Sequence, residues 1–253
     1  MSLQLGHALT DGIKRGTTKT GGLLLAGLFL IQLLTQVFSN TVAADALPAE
    51  SGLAVGLTLP ISGTVAGALT LVMLLVSAAY FVVMSRALAR PRHAMASVPP
   101  GLYTRRMGRA TLSVAVAGII VTVLTAIGLL FFVIPGIFLA TCFLFFIFAI
   151  GVEDRGAIGA LKRSWGLSKG NRLKLALVVI LAGAIGVAVG LVGTVFELIG
   201  LPAVADVASA AITSVLYVFL YGIIAAAYLE VRDGETGGSS GSGSADTVGT
   251  VAD

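Results

Sequence analysis

Residues 111–152 read TLSVAVAGIIVTVLTAIGLLFFVIPGIFLATCFLFFIFAIGV, and the way this run meets a lipid bilayer decides the architecture. It holds no charged residue. As one helix its 42 residues would reach roughly 63 Å, about twice a hydrocarbon layer of about 30 Å. Arg109 precedes it and Arg155 follows. Bases that flank spans stay on the cytoplasmic side, so the run must cross an even number of times. Pro135-Gly136 lies near the midpoint, and that pair predicts a stop and a reversal. The run therefore reads as spans at 111–134 and 137–152 with a tight outer turn. The second is short, and extends past Val152 or lies in a thinned region.

Outward from there, apolar runs at 21–38, 61–84, 173–199 and 207–229 complete six crossings in three hairpins. With the N-terminus inside, the inner segments hold all 16 Lys and Arg residues. The outer segments hold only acids: Asp45, Glu50, Glu197 and Asp206. The expected fold is all-α: a polytopic membrane bundle of six transmembrane helices with interfacial amphipathic helices. Its place is the cell membrane, with both termini cytoplasmic. A composition 57% hydrophobic and 11% charged, with mean hydropathy +1.02, agrees and excludes an ordinary soluble domain.

The net charge of +4 conceals two regions: residues 1–232 carry every base, while 233–253 are acidic, Gly/Ser-rich and free of bases. The first region is the expected transmembrane domain. The second cannot bury enough apolar surface to fold and is expected to be a disordered cytoplasmic tail. The bases are split among short loops beside spans, which suits anionic lipid and not nucleic acid. One cysteine, Cys142, allows no intrachain disulfide, and two histidines supply no ligand set, so no metal and no cofactor is expected. Residues 41–46 resemble a signal-peptidase site. The apolar run before them exceeds the usual length, however, and an uncleaved first span is the better reading.

Each hairpin follows a basic, partly amphipathic stretch. Leu5, Leu9 and Ile13 recur at helical spacing before Lys14 and Arg15; Tyr103 to Arg109 follow the breaker Pro99-Pro100-Gly101; Ile158, Leu161 and Trp165 form a third stripe. Ala8-Leu9 with Ile13 aligns with Ala160-Leu161 and Trp165, which suggests duplication. Any inner loop beside a membrane collects such helices, so both readings stand.

No span holds a Lys, Arg, Asp, Glu or His near its centre, where pumps and ion-coupled transporters keep theirs. Thr122, Thr125, Tyr217 and Tyr221 read as packing residues. Gln32 and Gln36, an i,i+4 pair, read as packing residues or as the lining of a small polar cavity. Ala182, Gly186, Gly190 and Gly193 place small residues on one face of the fifth span, for helix packing within the bundle or for dimerisation.

Residues 153–174 are the expected functional surface. Lys162, Arg163, Lys169 and Arg172 beside Trp165 make an interfacial elbow, and Arg105, Arg106 and Arg109 extend the basic face toward a lipid headgroup or a protein partner. A sharper form has Arg163, Lys169 and Arg172, with the Gly170 amide, gripping a phosphate.

Pro135-Gly136, Glu153, Ala160-Leu161-Lys162-Arg163-Ser164-Trp165 and Lys169-Gly170-Asn171 together resemble a pattern of one multi-pass superfamily. It includes the membrane domain attached to some bacterial glycerophosphodiester phosphodiesterases and related stand-alone six-span proteins. The resemblance covers residues 135–175 and implies a compact six-helix bundle. In the fused enzymes catalysis belongs to a separate soluble barrel, so the resemblance implies no activity here.

The leading expectation is a non-enzymatic scaffold or accessory subunit whose basic cytoplasmic face meets anionic lipids or a protein partner. The alternative is a carrier for a lipid or other amphiphile, through a groove lined by Gln32, Gln36 or the sixth-span tyrosines. A catalytic set cannot be assembled from these residues.

Overall fold

The computed structural model describes residues 4–47, 55–97 and 99–239, and the regular structure among them is entirely helical. In chain order the helices are α1 (Leu5–Gly16), α2 (Lys19–Ala46), α3 (Gly63–Leu88), α4 (Gly101–Thr104), α5 (Met107–Phe131), α6 (Val133–Cys142), α7 (Phe146–Gly151), α8 (Ala157–Ser168), α9 (Arg172–Leu198) and α10 (Pro202–Ser239). A 3-10 turn spans Arg92–Ala96. Six crossings are long and apolar enough for a bilayer: α2, α3, α5, the α6–α7 pair, α9 and α10. The expected all-α architecture is the one observed.

The crossings form a ring in which α2, α3, α5, α6, α9 and α10 each pack on the next and α10 returns to α2. Helix α7 turns inward against α3, α5 and α8. The core gathers there: Phe145 and Phe148 meet the ring of Tyr228 at 5.9 and 5.5 Å, over buried Leu28, Met84, Leu88 and Leu175. Tyr221 continues this column by stacking on Phe81 at 5.2 Å, with Tyr217 against its edge at 6.3 Å. The spans otherwise present Leu, Val and Ile outward, as helices solvated by lipid do.

The reversal between α5 and α6 differs from the sequence expectation. The chain turns at extended Phe132, and Pro135 sits in the first turn of α6. A first-turn proline gives up only an amide hydrogen that has no intrahelical partner. The turn is tight because Gly128 and Gly136 face one another: a Cβ on Gly128 would lie 2.9 Å from the Gly136 Cα. The fourth crossing is also broken, since Phe143–Phe145 are not α-helical. Ser164 of α8 repairs the break: its hydroxyl accepts from the Phe145 amide at 3.1 Å and donates to the Cys142 carbonyl at 2.9 Å. Irregular backbone at membrane depth is tolerated where protein satisfies it in this way.

Helix α1 does not pack through its leucine stripe. Leu9 and Ile13 face outward, while Ala8 and Gly12 are buried as α1 lies against α10, and Arg15 is buried at the end of α3. Glycine permits the approach: a Cβ on Gly12 would lie 2.5 Å from the Ile223 nitrogen, and one on Gly222 would lie 2.6 Å from the Gly12 carbonyl. The proposed duplicate in α8 keeps buried Ala160 but turns Leu161 inward, so the two stretches pack differently. Helix α2 runs on to Ala46, and Glu50 falls outside the described residues. Helix α10 continues to Ser239, into the segment read as tail; residues 240–253 lie outside the described residues.

Candidate functional site

Among the described residues, the charged end of the bundle and a groove between α3 and α5 are candidates to engage another molecule. The charged end is organised by two buried arginines. Arg86, in the last turn of α3 and 8% exposed, donates to the Gly151 carbonyl at 2.9 Å and the Leu102 carbonyl at 3.1 Å. Its other terminal nitrogen lies 3.5 Å from Asp154. Arg15, 7% exposed, donates to the Leu88 and Arg90 carbonyls at 2.6 and 2.8 Å and to Asp11 at 2.7 Å. Both side chains fill the carbonyl end of a helix, where a cation opposes the negative pole of the helix dipole.

The acids beyond α7 collect further bases. Asp154, held at a φ of 53°, also pairs with Arg105. Glu153 accepts from the Tyr228 hydroxyl at 2.7 Å, Arg155 at 2.6 Å and Arg163 at 3.2 Å. Burial alone would push the Glu153 carboxyl up. The hydrogen bonds from Tyr228, Arg155 and Arg163 outweigh burial and hold it below the ordinary carboxylate value.

The expected contact residues separate into two groups. Arg105 and Arg163 are committed to Asp154 and Glu153. Arg172 lies 5.0 Å from the ring centres of both Phe138 and Trp165, which meet each other edge to face, and its Nε has no hydrogen-bond partner among the described residues. Of the three bases expected around a phosphate, Arg163 and Arg172 are thus engaged within the fold, and Lys169 is exposed. Arg106, Arg109, Lys162 and Lys169 are exposed, with Lys14 of α1 beside them in character. Arg106 and Arg109 border a shallow cleft with Asp154 and Arg155.

Sequence reasoning overlooked Arg15 and Arg86 as the organisers of this end. A base set into the final turn of an otherwise apolar helix was the available signal.

Gln32 and Gln36 line none of the described cavities. Gln36 is exposed and donates weakly to Asn40 at 3.4 Å. Asn40 donates to Asp206 at 2.8 Å, and the Leu57 amide donates to the same carboxylate oxygen at 2.7 Å. This latch ties the α2–α3 connection to the start of α10, at the end away from the arginines. Of the small-residue stripe, Gly193 meets another helix, with Ser209 Oγ 3.1 Å from its would-be Cβ. Gly186 and Gly190 look into open space, so they do not pack within the bundle.

The groove has a volume of about 680 Å³. Leu71, Leu75 and Phe81 of α3 form one wall, Val114, Gly118 and Thr122 of α5 the other, and Phe146 and Ile147 of α7 the floor. It exists because α3 and α5 touch through Ala78, Val82, Ala110, Val114 and Ala117, while Ala115 and Gly118 bring little or no side chain to the wall. Its lining is apolar apart from Ser77, which is bonded to the Met73 carbonyl, and Thr122. The groove is thus bordered by the second and third crossings; Gln32 and Gln36 are not among its lining residues, and Tyr221 stacks on its wall residue Phe81.

Among the described residues, no group of three or more His, Cys, Asp or Glu side chains could hold a metal ion. No curated protein and no solved structure matches the chain. A family model does match, over residues 3–231, which takes in all six crossings and both candidate places: the chain belongs to the family described as domain of unknown function DUF7847.

Proposed function

We propose that this integral membrane protein is a non-enzymatic scaffold or accessory subunit. Its basic end faces the cytoplasm and rests on anionic lipid, with room for a protein partner. The observation that carries the reading is the division of labour among the bases. Arg15, Arg86, Arg105 and Arg163 are spent on carbonyls and acids of the fold, which makes that end rigid. Lys14, Lys162, Lys169, Arg106 and Arg109 stay outside that lattice and exposed. A rigid end fringed with solvated cations suits a phosphate-bearing surface. Glu153 and Asp154, the acids that a catalytic reading would recruit, are both engaged in holding the fold. The likeness of residues 135–175 to the phosphodiesterase-associated membrane domains points the same way, toward a bundle without chemistry of its own.

The test is lipid preference in reconstituted bilayers. Replacing Lys14, Lys162 and Lys169 together by Gln should weaken the preference for phosphatidylglycerol over phosphatidylcholine, by about 1 kcal/mol per base at low salt. Molar salt should erase the wild-type preference. An unchanged preference in the triple variant would remove the surface reading. The groove favours a second reading, a carrier for a lipid-like amphiphile.

A further inference from the structure

We propose that the corner where α5 begins, between Arg106, Arg109 and Arg155 of the α7–α8 connection, is a seat for one phosphate group. The proposal deepens the lipid part of the reading above and rests on it for placing this corner at the level of the headgroups. Arg106, Arg109, Ala110, Ile150, Asp154 and Arg155 line a shallow cleft there. The acids of this corner are already engaged. Asp154 faces Arg86 at 3.5 Å and pairs with Arg105, while Glu153 accepts from Arg155 at 2.6 Å and from Arg163 at 3.2 Å. Arg106 and Arg109 have no acid to meet them among the described residues, and both are exposed. The corner therefore carries more positive charge than its own carboxylates balance, and a cleft lined by one sign of charge concentrates anions.

The chemistry of the bases selects phosphate. Arginine presents its N–H groups as a planar fork, which meets phosphate oxygens two at a time. Arg155 gives only its Nε to Glu153, so its terminal nitrogens carry no bond among the described residues and stay available at the cleft. Arg106 directly precedes α5 and Arg109 lies in its first turn, so both stand at the mouth of a crossing, the depth at which a bilayer holds its phosphates. Helix α5 has no side-chain cap and no acid in its first turn, and its dipole adds attraction of the same sign. The backbone is shaped to this corner. Arg106 and Asp154, with φ of 45° and 53°, are the described non-glycine residues with positive φ, and both line the cleft. L side chains adopt that conformation rarely, and residues held in it gather at ligand clamps. A phospholipid headgroup and a free phosphate offer the same group to these arginines.

Two probes separate the sources, both with the full chain in nanodiscs. In phosphatidylcholine discs with phosphatidylglycerol as a minor component, native mass spectrometry counts the lipids kept on release. In pure phosphatidylcholine discs, inorganic phosphate is titrated calorimetrically. Wild type should keep one phosphatidylglycerol per chain if a headgroup is the ligand, and bind inorganic phosphate saturably at one site if a free phosphate is. Choline cancels the charge of phosphatidylcholine, so that lipid competes weakly. Arg106→Gln with Arg109→Gln should weaken whichever binding is seen, by about fivefold per base. Should that variant not fold, Arg106→Gly removes the charge at a positive φ that glycine adopts freely, and should weaken binding about fivefold alone. Lys19→Gln, which removes an exposed base at the start of α2, should leave binding at the wild-type level. Binding of neither probe overturns the proposal, as does undiminished binding in the folded arginine variants. An equal loss in Lys19→Gln also overturns it, because that marks diffuse attraction to the whole end. Failure of the lysine variants described above shows in general lipid preference alone and produces none of these one-site results.

Discussion

Arg86 shows what a charge can do at the edge of an apolar helix. Burying a guanidinium is costly unless its donors are met, and here two carbonyls and an aspartate meet them. Arg15 repeats the solution from another helix. Glu153 is the acidic counterpart, and it makes the charged end sensitive to pH. Its folded value lies below the ordinary 4.5, so its ionised form stabilises the fold. That stabilisation is complete above about pH 4.5 and is lost as pH falls through the folded value. Glu153→Gln should therefore melt below wild type at neutral pH, with the gap closing on acidification. A gap of constant size would show that the carboxylate does not carry the network. The bases were legible as a set in the sequence, but which would be buried was not. That depends on which carbonyls the folded chain leaves without donors, a property of tertiary placement.

At the scale of elements, hydrophobic runs located each crossing, while the details of reversal and packing followed smaller signals. Pro135-Gly136 marks the hairpin correctly, yet the bend falls before the proline, whose ring fits a first helical turn. In α1 the leucine stripe drew the eye, but the packing face is Ala8, Gly12 and Arg15. Where surroundings are partly lipid, large apolar side chains have no compulsion to turn inward, and close approach of backbones selects small residues instead. Gly12→Leu should accordingly detach α1 from α10. Overpacking of this kind costs about 1–3 kcal/mol, and hydrogen exchange over residues 5–16 should quicken while α9 keeps its protection. Unaltered exchange in α1 would mean that the glycine contact does not hold it.

For the whole molecule, the number of crossings and the all-helical class were legible because a bilayer leaves the chain few alternatives. The groove was not, since it depends on which residues of α3 and α5 meet and on Ala115 and Gly118 falling beside that contact, and periodicity does not report such pairing. The partition of charge makes the orientation testable. In a Cys142→Ser background, Asp45→Cys should react with a membrane-impermeant maleimide applied to intact cells, and Lys162→Cys should not. Labelling of position 162 from outside would invert the arrangement and remove the cytoplasmic placement of the basic end.

The Ser164 bridge bears on how the protein is made. During synthesis the fourth crossing leaves the ribosome before residue 164 exists, with a donor at Phe145 and an acceptor at Cys142 that its own helix does not satisfy. Hydrocarbon offers neither group a substitute. Before α8 packs against it, that segment can meet the two groups only by closing them within a straighter helix, so the irregular fourth crossing and the placement of α8 belong together. The hydroxyl thus couples the shape of a membrane crossing to a helix that follows it in the chain.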